Sequence, residues 1–329
     1  MTLTSRLAAP FLLAVASLFA SPFALGDTGQ AAQPAQTASS PEAMLAAMQA
    51  APPRGLLYKV SKGTRRAYLF GTIHVGKADF FPLDWTTTEA LVQSSDLAVE
   101  LDATQTEHLS ATMQRYALLP PPQTLATVLP PELLARLNTQ LDTLKIPRDA
   151  VQGLKPWMVT LMLALQSYQQ YGYSVEYASD IYLTALAREA GKPIVELEGM
   201  DEQLQIFDRL SRQEQLAFLE ESIAYLEKDL MPGDVQSIVG AWLGNDAVAL
   251  QKTVMKSYRD HPRSSRWIKP KLFSERNVRM AHKVNRMLEQ GRAPFVAVGA
   301  LHLVGEDGLP ALLRKQGYRV EPLYVSRGR

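Results

Sequence analysis

Two segments of the chain share one pattern. Residues 67–76 read AYLFGTIHVG and residues 294–305 read PFVAVGALHLVG. Each is an apolar β-type run, then Gly-x-x-His, then an aliphatic residue with a glycine close behind. Runs of this kind, separated by helical stretches, constrain the chain to an α/β arrangement with an at least partly parallel sheet. In such sheets ligands bind beyond the carboxyl ends of the strands. A glycine lets the backbone turn sharply there, and a histidine three residues on can project into the crevice. His74 and His302 are therefore expected to face each other.

The other elements fit the same plan. LLYKV and AYLFG flank the turn Ser61-Lys62-Gly63-Thr64 and read as a hairpin. A helix is expected from Asp84 to Ser94, then a strand in DLAVELD (96–102), a fourth strand in PIVELEG (193–199) and a last one from Tyr318 to Val325. The text from about 104 to 190 is mostly helical and too long for a simple crossover, so a cap-like helical insertion is expected there. Leu154 to Leu165 is apolar but too short to span a bilayer and reads as a buried helix. A long basic helix is expected over roughly Pro270 to Gln290. The fold class is α/β: a central mixed or partly parallel sheet flanked by helices.

The N-terminus reads as an export signal. Arg6 precedes the uncharged run Leu7 to Phe19, and Ala24 and Gly26 supply the small residues of a cleavage site. Cleavage after Gly26 would send the chain to a periplasm or outside the cell. The expected organisation is a signal peptide at 1–26, a flexible leader at 27–53 and one α/β domain at 54–329. The mature chain has no candidate membrane segment. It carries equal numbers of acidic and basic residues, which argues against bulk attraction to nucleic acid. With no cysteine there is no lipobox, disulfide, thiolate nucleophile or Cys-ligated metal. Locally the charge is uneven: 12 Lys/Arg against 3 Asp/Glu between Lys252 and Arg292, and 10 acids against 3 bases between Glu198 and Asp234. Two complementary solvated faces explain this, as would a basic wall for an anionic substrate group.

Strand ends also supply acids: Glu100 in AVELD, and Glu196 and Glu198 in IVELEG. Two imidazoles with one or two carboxylates and an open position form a workable shell for Zn²⁺, Mn²⁺ or Co²⁺. A metal so held lowers the pKa of bound water and polarises a carbonyl. The competing reading is a pair of strand-end histidines satisfied by backbone hydrogen bonds. HExxH, GxSxG, the P-loop signature and GxGxxG are all absent. His108, His261 and His282 read as surface or structural, Asp102 and Asp307 as caps or turn residues, and Trp157, Trp242 and Trp267 as core.

From about Leu56 to Leu323 the chain resembles the TraB/GumN family, related to the Tiki proteins and more distantly to erythromycin esterase-like and ChaN-like domains. The resemblance rests on YLFGTIHVG, LAVELD, GLKPWMV, GKPIVELEGMDEQLQIFDRLS, the ERN within Ser274 to Asn277, and FVAVGALHLVGEDGLPALLRKQGYRV. It implies one cleft shared by the two GxxH histidines (His74, His302), a strand glutamate (Glu100) and a helix arginine (Arg276). Tiki proteins are described as proteases dependent on Mn²⁺ or Co²⁺, and ChaN-like relatives bind haem. The leading expectation is an exported metal-dependent hydrolase acting on a peptide or another small substrate. His74, His302 and Glu198 would hold the divalent metal. Glu100 would be general base or a further ligand, and Arg276 would stabilise the oxyanion or grip a carboxylate. A haem or small-ligand binding protein, and a non-catalytic factor in export or polysaccharide assembly, remain as alternatives.

Overall fold

The computed structural model describes residues 40–102 and 106–324; the expected signal peptide and residues 27–39 of the expected leader lie outside them. Six strands form one sheet: β1 (Leu56–Lys62), β2 (Arg65–Thr72), β3 (Leu97–Val99), β4 (Ile194–Glu196), β5 (Phe295–Gly299) and β6 (Arg319–Pro322), in the order β4-β3-β5-β2-β1-β6. β4, β3, β5 and β2 run parallel, while β1 pairs antiparallel with both β2 and β6. The sheet is thus mixed, with its parallel part at the centre. β3 and β5 are buried throughout and β2 over its last four residues, as expected of strands covered on both faces.

The connections are helical. The longer ones are α1 (Pro41–Ala50), α2 (Trp85–Gln93), α3 (Thr106–Ala117), α4 (Pro131–Thr143), α5 (Pro156–Gln170), α6 (Ser179–Glu189), α7 (Met200–Asp208), α8 (Arg212–Glu227), α9 (Met231–Leu243), α10 (Ala247–Asp260), α11 (Glu275–Glu289) and α12 (Leu309–Lys315). α2 starts where the sequence places it: the Asp84 carboxylate accepts the amides of Thr86 and Thr87, which satisfies two orphan donors of the first turn. α5 is buried over most of its length, and Trp157, Trp242 and Trp267 are core residues. No helix among the described residues is long and apolar enough to cross a membrane.

One expected helix is two segments. Ile268–Ser274 is a π-helical turn, and regular α-geometry begins only at Glu275. Pro270 lies within that turn and has no N–H to donate, so the regular hydrogen-bond ladder is interrupted there.

The two charged regions meet. Arg263 donates to Glu220 at 2.8 Å and to Glu221 at 3.1 Å, and Lys256 lies 3.4 Å from Asp234. The local charge imbalance therefore reflects facing helical surfaces. Such exposed pairs each add about 0–1 kcal/mol and specify packing more than stability.

Candidate metal centre

Register brings the strand ends together. Thr72 pairs with Gly299, and Val99 pairs with both Ala297 and Glu196. His74 follows β2 by two residues, Glu100 follows β3 directly, Glu198 follows β4 by two residues and His302 follows β5 by three. All four are buried, at 5% exposure or less, and so is Arg276 of α11.

The glycines of the two motifs serve space, not backbone freedom. Gly299 has a negative φ of −47°, and Gly71 lies outside the left-handed region as well. A Cβ on Gly71 would lie 3.0 Å from the Cα of Ala300. A Cβ on Gly299 would lie 3.0 Å from His74 Nε2, 3.3 Å from Glu100 Oε1 and 3.6 Å from His302 Cδ2. Gly299 is thus the floor on which both imidazoles and one carboxylate oxygen converge. His302 Nε2 is 3.7 Å from the same oxygen, Glu100 Oε1.

Each imidazole is oriented from behind. His74 Nδ1 lies 3.2 Å from Asp180 Oδ2 of α6, and His302 Nδ1 lies 2.5 Å from Asn277 Oδ1 of α11. Asn277 Nδ2 donates to the carbonyl of Asp307 at 2.8 Å, so the amide oxygen is the atom that faces His302. With the protons on Nδ1, both rings direct an Nε2 lone pair inward, the arrangement of metal-binding histidines. His74 Nε2 has no hydrogen-bond partner among the described residues.

Arg276 holds the two acids apart. Its Nη2 is 2.5 Å from Glu100 Oε2, its Nε donates to Glu198 Oε2 at 2.8 Å, and its Nη1 caps the Leu272 carbonyl at 3.2 Å. Glu198 Oε2 also accepts from Gln203 at 3.0 Å, and among the described residues its Oε1 has only Arg279 Nη2 at 3.5 Å. Glu100 Oε1 accepts the Gly299 amide at 2.7 Å. Glu100 thus faces the imidazoles while Glu198 stands behind the guanidinium. Arg276 Nε, Nη1 and Nη2 each meet a protein acceptor, which holds the guanidinium between the two glutamates.

Protonation follows from these contacts. Burial would raise Glu100, but Arg276 first, then His302, His74 and the Gly299 amide, lower it to about 2. Burial likewise opposes the charge on Glu198, and Arg276 reverses this and holds it below its ordinary value. Burial disfavours protonated His74, yet the charge and hydrogen bond of Asp180, aided by Glu100, raise it. Burial, with Arg276 and His74, pushes His302 down to about 4 against the pull of Glu100. A carboxylate at about 2 is a poor base near neutrality and a dependable anionic donor.

The donor chemistry fits a divalent ion at His74 Nε2, His302 Nε2 and Glu100 Oε1, beside a cavity of about 20 Å³ lined by both histidines. No group of three or more His, Asp or Glu side chains among the described residues already stands where it could hold a metal ion, so any ion would draw these atoms inward. The sequence alone did not find Asp180 and Asn277. Asn277 adjoins Arg276 in the ERN triplet, and Asp180 lies in helical text without a motif. Of the other expected residues, Glu196 accepts the Asp102 amide at 2.8 Å, Asp102 pairs with Arg188 at 2.7 Å, and His261 is buried against the Ser257 carbonyl.

Fold and site together define a buried two-histidine, two-carboxylate centre at the carboxyl end of a mixed sheet. The chain belongs to the TraB/PrgY/gumN family, which it matches over residues 56–322. It is similar to the uncharacterized protein YbaP of Escherichia coli, at 28% identity over 256 residues, 77% of this chain and 89% of YbaP. It is also similar to the metalloprotease TIKI2 of Danio rerio, 26% over 305 residues, and to the metalloprotease TIKI1 of Homo sapiens, 26% over 306 residues. Each of these matches covers 78% of this chain and 58% or 59% of the relative, so the chain spans less than two thirds of the TIKI proteins. No solved structure matches.

Proposed function

We propose that this protein is an exported, metal-dependent hydrolase that cleaves peptide bonds. This rests on His74 Nε2, buried and without a partner among the described residues, converging with His302 and Glu100 Oε1 over the Cβ-less Gly299. The metalloprotease names of the TIKI relatives support the reaction class. Export, with processing after Gly26, rests on the N-terminal sequence.

In this reading His74 and His302 hold the ion through Nε2, and Glu100 is the third donor in place of the expected Glu198. The ion would polarise the scissile carbonyl and activate water at neutral pH. Asp180 and Asn277 fix the imidazole tautomers, which raises ligand basicity. Arg276 locks Glu100 and balances two buried carboxylates. Glu198 aligns Arg276. The buried walls keep bulk water from the ion. The alternative of haem binding has less support, because the TIKI relatives are named metalloproteases.

Peptide-library cleavage with purified mature protein, loaded in turn with Mn²⁺, Co²⁺ and Zn²⁺, tests this. Metal-dependent cleavage lost in His302→Ala is the expected result. Cleavage that persists in that variant, or none with any metal, would overturn the reading.

A further inference from the structure

A threonine hydroxyl is buried beside the two histidines. Thr72 ends β2, is 2% exposed, and its Oγ1 has no hydrogen-bond partner among the described residues. A buried hydroxyl left unpaired bears a desolvation cost with no return. Thr72 lines the same cavity of about 20 Å³ as His74, Gly299 and His302, together with the apolar side chains of Ile238, Trp242 and Leu250. That volume holds one water and no side chain. A buried water needs two to four polar partners, and Thr72 Oγ1 and His74 Nε2 are two such atoms, neither otherwise engaged.

We propose that Thr72 is a positioning residue whose hydroxyl holds the attacking water in this cavity. In the metal-free chain the water bridges Thr72 Oγ1 and His74 Nε2. During hydrolysis, the Thr72 hydroxyl accepts one O–H of the water and turns a lone pair toward the substrate. The water oxygen bonds to the carbonyl carbon, the C–N bond breaks, and the proton released from the water ends on the departing amine. The apolar side chains in the lining leave the hydroxyl as an orienting contact for the water. The catalytic half of this inference rests on the hydrolase reading; the water site does not.

The test is therefore in two parts. Crystal structures of metal-free wild type and Thr72→Val should show an ordered water within about 3.2 Å of Thr72 Oγ1 in the first, and none in the second. A dry wild-type cavity would overturn the proposal whether or not the protein is a hydrolase. With metal-loaded protein, Thr72→Val should lower kcat by about tenfold or more and leave KM and metal affinity unchanged. Thr72→Ser, which restores the hydroxyl, should recover most of the kcat. An unchanged kcat in Thr72→Val, or no rescue by serine, would also refute it. Failure of wild type to cleave any peptide would sink the hydrolase reading alone, with the water site still decided by the crystals.

Discussion

Asn277 Oδ1 lies 2.5 Å from His302 Nδ1, and the amide cannot flip without breaking its 2.8 Å bond to the Asp307 carbonyl. One side chain therefore sets the tautomer of a histidine 25 residues away, and with it the direction of the Nε2 lone pair. Asn277→Leu removes the acceptor and frees the ring. Divalent-metal affinity should fall by roughly 10–100-fold, read by calorimetric titration, with the circular dichroism spectrum unchanged. Wild-type affinity in this variant would show that Asn277 only packs.

The two motif glycines should fail differently. Gly299→Ala places a methyl 3.0 Å from His74 Nε2, so the side chains must move while the backbone can stay. Its expected signature is near-native stability with metal affinity down by about tenfold or more. Gly71→Ala presses instead on the backbone of Ala300, where overpacking costs about 1–3 kcal/mol. Urea unfolding alongside metal titration separates the two; equal stability losses would contradict the assignment.

Arg276 is paired with Glu100 and Glu198 out of solvent. Arg276→Met leaves two buried carboxylates facing each other and should cost about 3–5 kcal/mol. Adding Glu100→Gln and Glu198→Gln removes the uncompensated charges, so the triple variant should be more stable than the single one. Denaturant midpoints decide this, and a triple variant less stable than Arg276→Met would mean that packing around the arginine matters more than its charge.

Acid should weaken the fold through Glu100. Its carboxyl is depressed from an ordinary 4.5 to about 2 in the folded protein. The unfolded chain thus takes up this proton first as pH falls. The stability that Glu100 contributes is complete above about 4.5 and lost as pH drops through about 2. Thermal melts of metal-free protein should fall across this window, and Glu100→Gln should show a shallower fall. Parallel curves for the two proteins would exclude Glu100 as the source.

Much of this architecture is legible in the sequence because burial writes itself into composition. AYLFG, LAV and FVAVG sit at the sheet centre, covered on both faces, and read as unbroken apolar runs. The histidines and Glu100 stand immediately after those runs, so strand ends locate them. What is hidden depends on distance in the chain. Asp180 reaches His74 across 106 residues, with no periodicity to mark it. The exchange of emphasis between Glu100 and Glu198 follows from Arg276, whose guanidinium lies between them, and no spacing rule gives its orientation. The motif glycines were legible, but their cause was not: close approach to Ala300 and to His74 replaces the expected backbone turn.

The central claim is that His74 and His302 hold one divalent ion together. Isothermal titration of Mn²⁺, Co²⁺ and Zn²⁺ into metal-free wild type, His74→Ala and His302→Ala tests it most directly. The expected result is one site per chain in wild type, with binding lost or weakened by more than about 100-fold in each variant, since a missing ligand costs more than a missing hydrogen bond behind a ligand. Equal affinity in wild type and both variants would contradict the site.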